Sequence, residues 1–177
     1  MFELKPLITP PLEPEFQPAS LWNRAYRQLV SCDSGSRLLS IALIRSDDSA
    51  SRHETRVLAQ NHSAAALTFR YVERLVKFLL WQQGGCGVLI AGADEVTRQL
   101  ASIYSADGKR AFDRDFMGDK IYRQPFEIEA VEVSALPVER ASGLSLGRHL
   151  EGCRIGFDIG GSDRKVAALR DGRVVFS

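Results

Sequence analysis

Apolar residues recur at three- and four-residue spacing in three segments of the chain, and this period predicts three amphipathic helices. The first spans residues 18–31. The second follows Ser63 and ends at Gly84-Gly85, a pair typical of a helix C-terminus. The third begins at Asp94, which we expect to act as its cap, and runs through Tyr104.

Strand patterns alternate with these helices. Residues 37–44 predict an apolar strand, and residues 51–58 a more polar strand that returns beside it as a hairpin. Residues 88–90 predict a short buried strand, and one more strand is expected within residues 126–133. Charged residues are frequent in residues 106–124, and we expect a charged, flexible stretch there.

The patterns divide the chain into four parts. Five of the seven prolines precede residue 19, so residues 1–17 predict an extended, proline-rich arm lying along a surface. Residues 18–135 predict an N-terminal α/β domain with a mixed sheet. Residues 136–152, rich in glycine and serine, predict a linker, and residues 153–177 form a separate unit.

The last unit has the layout strand, glycine turn, strand, tight turn, strand. Residues 155–158, 166–169 and 174–176 supply the apolar strands. Gly160-Gly161 joins the first two strands. Asp171-Gly172, the strongest two-residue hairpin signal, joins the last two.

The glycine turn suits the binding of phosphate. Successive backbone N–H groups at Gly160 and Gly161 form an anion-binding concavity, and the Ser162 hydroxyl adds a donor. Asp158, at the strand end, can hold a hydrated Mg²⁺ that bridges phosphate oxygens. Lys165 or Arg164 can neutralise the bound charge, and strand alternation lets only one of the two face the ligand. The alternative is an ordinary edge hairpin with a glycine-rich entry.

The string Asp-x-Gly-Gly-Ser-x-x-Lys between two strands, followed by an Asp-Gly hairpin, resembles the first phosphate motif of the actin–hexokinase ATPase superfamily. Within it, residues 156–162 are most similar to sugar kinases of the ROK family, which includes bacterial glucokinases, N-acetyl-hexosamine kinases and repressors. The resemblance covers residues 154–177. It implies that an actin-like ATPase domain, of which this chain holds the first β-hairpin, begins at residue 153.

The resemblance also implies roles for individual residues. Asp158 would position Mg²⁺, and the ATP phosphates would contact Gly160, Gly161, Ser162 and Lys165. Two residues depart from the ROK pattern: threonine is usual at Ser162, and a basic or polar residue at Asp163. The seven-residue step from Asp158 to Lys165 fits hexokinases, carbohydrate kinases and acyl-CoA dehydratase activases as well.

The function implied is phosphoryl transfer from Mg-ATP to a sugar hydroxyl, with a nucleotide and a small sugar as partners. The Asn-Asp step that supplies the base in such kinases does not follow Asp158. We therefore expect residues 1–177 to be an N-terminal region that is inactive without a missing C-terminal region. The alternatives are a non-catalytic regulatory or oligomerisation module with a kinase-like remnant, in which a homo-oligomer forms, and an ATPase activase.

A weaker resemblance lies inside the N-terminal domain. Residues 41–47 echo residues 166–171, and residues 89–93 are similar to the adenosine-side glycine strand of the superfamily. This similarity implies a shrunken ribonuclease-H-like half over residues 37–135. No Gly-Gly-Ser turn accompanies it, so such a half would serve for docking or as a scaffold rather than hold ATP.

The composition mainly argues against certain partners and against a zinc site. The formal net charge is +1 and no basic run is interleaved with aromatics, so neither nucleic acid nor a membrane is an expected partner. Histidines and cysteines lack zinc-ligand spacing; they are Cys32, Cys86, Cys153, His53, His62 and His149.

With no signal-peptide pattern and no apolar run of about 20 residues, the expected location is the cytoplasm. Trp22 and Tyr26 are expected to pack in a core rather than line a sugar site.

Overall fold

The computed structural model describes residue 4, residues 6–141 and residues 150–177. The protein is mixed α/β, with one four-stranded mixed sheet and one three-stranded antiparallel sheet. The chain divides into an N-terminal unit, Met1–Ala141, and a C-terminal unit, Ser142–Ser177. Within the predicted linker, residues 142–149 lie outside the described residues, as do residues 1–3 and 5 of the predicted arm.

The N-terminal unit contains the three predicted helices and four predicted strands within a few residues of the expected ends. In chain order its elements are α1 (Ala19–Cys32), β1 (Arg37–Ile44), β2 (Ala50–Val57), α2 (Ala66–Gln83), β3 (Gly87–Ala91), α3 (Asp94–Ile103), α4 (Ala111–Asp115), a π-helix (Phe116–Tyr122), β4 (Glu127–Ala130) and a 3₁₀ turn (Val133–Ala135). Asp94 is the first residue of α3 and makes no capping hydrogen bond, so its predicted role as a cap is wrong.

The four-stranded sheet has the order β2-β1-β3-β4. β1 pairs antiparallel with both β2 and β3, and β3 pairs parallel with β4. The side chains of Leu39, Ile41 and Leu43 enter the main core together with those of the helices. On the other side, Ala42 packs in a small cluster with Leu136, beyond β4. The central strand β1 is therefore covered on both faces.

Helix α1 contributes aromatic side chains to the core, as predicted. Trp22 and Tyr26 are buried and stacked, with ring centroids 5.5 Å apart, and Tyr26 stacks in turn on Tyr71 at 4.5 Å. The Tyr26 hydroxyl hydrogen-bonds the Thr68 hydroxyl at 2.8 Å. The guanidinium of Arg70 lies 5.0 Å above the Trp22 ring. These rings are packing residues, so they do not line a sugar site.

The expectation of a flexible stretch over residues 106–124 is wrong, because α4 and the π-helix occupy most of it. The Asp113 carboxylate is buried there. It accepts a hydrogen bond from Trp81 Nε1 at 2.8 Å and lies 3.3 Å from Lys77 Nζ and 3.5 Å from Arg110 Nη1. Arg110 also pairs with Glu73 of α2. This network fixes the segment to α2.

The described part of the arm forms no helix or strand. Two turns hold residues 10–16, through the bonds Glu13 N–H to Pro10 O and Phe16 N–H to Glu13 O. Leu4 packs against the main core, whereas Leu7 is fully exposed, as is most of Leu12. The predicted contact of the arm with a surface thus holds for Leu4 and not for these two leucines.

The C-terminal unit is a meander of three strands in the order β5-β6-β7. They are β5 (Cys153–Ile159), β6 (Arg164–Arg170) and β7 (Arg173–Phe176), as the alternation and turn residues predict. Over residues 4, 6–141 and 150–177, no helix has both the length and the apolar character that crossing a membrane requires.

A candidate phosphate-binding turn

The turn between β5 and β6 brings the predicted site residues together. The register pairs Asp158 directly with Lys165 and Ile159 with Arg164. Because directly paired residues lie on the same face of a sheet, Lys165 shares the face of Asp158, and Arg164 lies on the opposite face. Of the two cations left open by the sequence, Lys165 is therefore the one placed beside Asp158.

The backbone of the turn is partly free to bind a ligand. The Gly160 N–H donates to the Asp163 carbonyl at 2.9 Å and closes the hairpin. Gly161 and Ser162 form the loop tip and are exposed. Within the described part of the chain, no hydrogen bond engages the N–H groups of these two residues or the Ser162 hydroxyl. The turn thus offers three unengaged donors.

The glycines of this turn are not required by backbone conformation. Neither Gly160 nor Gly161 has a positive φ, so the backbone conformation of the β5–β6 turn does not depend on glycine. A Cβ added at Gly161 would meet no atom within 4 Å. A missing side chain that the chain itself does not need leaves room for an outside group to approach the main chain closely.

The second turn of the unit behaves differently. Asp171 and Gly172 both have positive φ, 48° and 78°, as a two-residue hairpin turn of type I′ requires. The Asp171 N–H donates to the Gly152 carbonyl at 2.9 Å, and the Gly152 N–H donates to the Asp171 carboxylate at 2.8 Å. The polar groups of Asp171 are therefore hydrogen-bonded to Gly152, just before β5, and Gly172 is needed for its positive φ.

Three charged side chains lie around the first turn. Lys165 Nζ is 3.1 Å from Asp163 Oδ2 and 3.9 Å from Asp158 Oδ2. All three side chains are more than half exposed, so the ion pairs are solvated and weak. Asp163 was noted in the sequence only as a departure from the ROK pattern. Asp163 lies just before β6, two residues from Lys165, and its contact with Lys165 follows from side-chain geometry that the structure supplies.

The acidic residues can contribute one ligand to a metal rather than a complete site. Over the described residues, no group of three or more histidine, cysteine or acidic side chains is arranged to hold a metal ion. The Asp158 carboxylate is 72% exposed beside the turn. Mg²⁺ is commonly held by one or two carboxylates together with substrate phosphates and water, so a single carboxylate at this position fits Mg²⁺.

The strands behind the turn leave apolar side chains in solvent. Ile155, Phe157 and Ile159 alternate along one face of β5 and are 66%, 69% and 77% exposed. An open groove of about 780 Å³ borders the turn end of the sheet, where Asp158 and Lys165 are among its lining residues. The face of β5 that carries Ile155, Phe157 and Ile159 is called the apolar β5 face below.

Comparisons with known proteins give no relative from which a role could be transferred. No protein-family model matches the chain, and neither a curated protein nor a solved structure matches it.

Proposed function

We propose that the chain is the N-terminal region of an ATP-dependent sugar kinase of the actin–hexokinase superfamily, most similar to the ROK family. The observation that carries this proposal is the exposed β5–β6 turn. There the N–H groups of Gly161 and Ser162 are unengaged at the same end of the sheet as Asp158 and Lys165. Donors, a cation and a carboxylate are the groups that a nucleotide phosphate with its metal requires.

Each residue has a part in holding the nucleotide. The Gly161 and Ser162 N–H groups and the Ser162 hydroxyl donate to phosphate oxygens, and Lys165 neutralises part of their charge. Asp158 holds Mg²⁺ through water. The metal held there would supply charge neutralisation for the transferred phosphoryl group. The chain thus supplies the phosphate cradle and a metal ligand for transfer to a sugar hydroxyl.

The exposure of the apolar β5 face is an argument for a larger ATPase domain that packs around this turn. Each Å² of apolar surface left in water costs about 25 cal/mol relative to its burial, and this face leaves three large side chains mostly exposed. We propose that further elements of the ATPase domain cover it and carry the base that activates the sugar hydroxyl. On this account residues 1–177 alone do not turn over ATP, and the N-terminal unit acts as a docking or scaffold domain.

A regulatory module that has lost catalysis is the second candidate. The observation that favours it is the position of Lys165 between two carboxylates, Asp158 and Asp163, which reduces its net attraction for phosphate. The two candidates differ in turnover: the kinase consumes ATP in the presence of a sugar, whereas the module does not.

The substitution Gly161→Val in the full-length protein tests the phosphate cradle. The position has an ordinary φ and open space around it, so the hairpin should accept the side chain. The valine would prevent close approach of a phosphate to the main chain. We expect Mg-ATP affinity, measured by calorimetry, to fall at least about tenfold with an unchanged circular dichroism spectrum. Unchanged affinity would remove the turn from the nucleotide site.

A further inference from the structure

The carboxylate of Asp163 lies over the turn. Its Oδ1 is 2.7 Å from the position that a Cβ on Gly160 would take, so it lies directly against that glycine. Its Oδ2 is 3.1 Å from Lys165 Nζ, closer than the Asp158 carboxylate at 3.9 Å. The turn therefore holds an anionic group of its own between its glycine backbone and its nearest cation.

We propose that Asp163 is an internal competitor for the phosphate site, an inference that rests on the proposed function. A phosphate that reaches Gly161 and Ser162 needs Lys165 as its cation, and Asp163 already engages Lys165. Phosphate binding must therefore displace this carboxylate or tolerate it as a nearby like charge. Either way, Asp163 lowers the affinity of the turn for nucleotide phosphates.

The contact is suited to displacement rather than to a permanent block. The Asp163 and Lys165 side chains are 56% and 68% exposed, and exposed ion pairs are weak. An incoming phosphate carries more charge than a carboxylate and also gains the unengaged backbone donors of the tip. The effect of Asp163 is thus a several-fold reduction in affinity, not its abolition.

The side chain of Asp163 is not needed to form the turn. Its backbone carbonyl, rather than its carboxylate, accepts the Gly160 N–H that closes the hairpin. Replacement by asparagine keeps the shape of the side chain, removes its charge and turns one acceptor oxygen into an NH₂ donor. The variant Asp163→Asn therefore separates a competing charge from a structural role.

The experiment measures the affinity of the full-length protein for Mg-ATP and for inorganic pyrophosphate by calorimetry. It compares the wild type with Asp163→Asn, Asp163→Lys and Glu151→Gln. Glu151 is exposed just before β5, roughly 20 Å of strand from the turn, so its variant controls for net charge. We expect Asp163→Asn to bind both ligands about three- to tenfold more tightly and Asp163→Lys more tightly still. Glu151→Gln should bind like the wild type, and the gain should shrink at raised ionic strength.

The outcomes separate this inference from the proposed function. If the wild type binds Mg-ATP and Asp163→Asn binds it no more tightly, Asp163 is not a competitor, while the phosphate site stands. An equal gain in Glu151→Gln would also overturn the inference, because the effect would then belong to net charge. If none of the four proteins binds either ligand, the proposed function fails and the inference fails with it.

Discussion

Strands β1 and β5 carry similar alternations of large apolar residues and have opposite surroundings. In β1, Leu39, Ile41 and Leu43 are at most 1% exposed, whereas the three side chains of the apolar β5 face are at least 66% exposed. The N-terminal unit supplies its own helices to cover its sheet, while the described C-terminal unit is sheet alone. An alternating pattern therefore predicts a strand with a face to be covered, but not what covers it.

The two units also differ in whether their polar groups have hydrogen-bond partners within the chain. In the N-terminal unit, the buried Asp113 carboxylate is engaged by Trp81, Lys77 and Arg110. At the β5–β6 turn, exposed donors of Gly161 and Ser162 are unengaged by the described chain. The first arrangement stabilises a fold, and the second is available to a ligand.

The largest expected effect concerns the C-terminal unit. Replacing the proposed metal ligand by Asp158→Asn in the full-length protein should abolish Mg-ATP turnover, a loss of at least about 1,000-fold, without changing the fold. Steady-state release of ADP with a panel of hexoses and N-acetyl-hexosamines measures it. The control Asp171→Asn makes the same change in the other turn and should retain activity. Full turnover by Asp158→Asn would remove Asp158 from the site.

The substitutions Leu39→Ala and Phe157→Ala test the difference in burial between strands β1 and β5. In residues 1–177, the core variant Leu39→Ala should lose about 2–5 kcal/mol of unfolding free energy. The exposed variant Phe157→Ala should lose less than about 0.5 kcal/mol. In the full-length protein, where we propose that the apolar β5 face is covered, Phe157→Ala should cost about 3–5 kcal/mol as well. Urea titration measures all three values, and an unchanged unfolding free energy for Phe157→Ala in the full-length protein would contradict the proposed cover.

The polar network of the N-terminal unit predicts a similar contrast between two aspartates. Asp113→Ala leaves Lys77, Arg110 and the Trp81 N–H without their shared acceptor and should lower the unfolding free energy by about 3 kcal/mol. Asp115, which pairs with Arg114 at 2.6 Å in solvent, is the control. We expect Asp115→Ala to cost less than about 0.5 kcal/mol. If Asp113→Ala lowers the unfolding free energy as little as Asp115→Ala does, in thermal or urea unfolding, the network adds no stability.

The smallest expected effect is a pH dependence at the start of α3. Burial acts to raise the pKa of the Glu95 carboxyl, but hydrogen bonds from the Arg37 guanidinium and its own N–H outweigh burial, so this pKa lies below its ordinary value. The stabilisation is therefore present above the ordinary glutamate pKa and is lost as pH falls through the depressed one. Glu95→Gln should cost about 1 kcal/mol near neutral pH and lose less stability on acidification than the wild type. Parallel losses on acidification in urea titrations would contradict this role.

The sequence predicts the elements of both units better than it predicts how they are arranged. The Asp171-Gly172 pair correctly indicated its hairpin, because few other residues adopt two successive positive φ values. The expectation for residues 106–124 is wrong because their many charged residues suggest full exposure, whereas Asp113 is buried and Phe112 and Phe116 lie at helical spacing. The antiparallel pairing of β1 with β3 joins residues 40–44 to residues 87–91, and no local pattern encodes it.

The same limit applies to the candidate site. Local sequence was sufficient to predict the glycine turn with Asp158 at its edge, since both lie within six residues. The choice of Lys165 over Arg164 depends on the cross-strand register, which the structure supplies. The reach of the Asp163 carboxylate to Lys165 depends on side-chain geometry that spacing alone does not determine.

The most direct test is a titration of the ¹⁵N-labelled full-length protein with Mg-ATP, followed by the backbone amide signals of the two turns. We predict large, saturable shifts at Gly161 and Ser162, whose N–H groups are unengaged, and little change at Asp171 and Gly172. Signals of Gly161 and Ser162 that stay in place at saturating Mg-ATP would contradict the account.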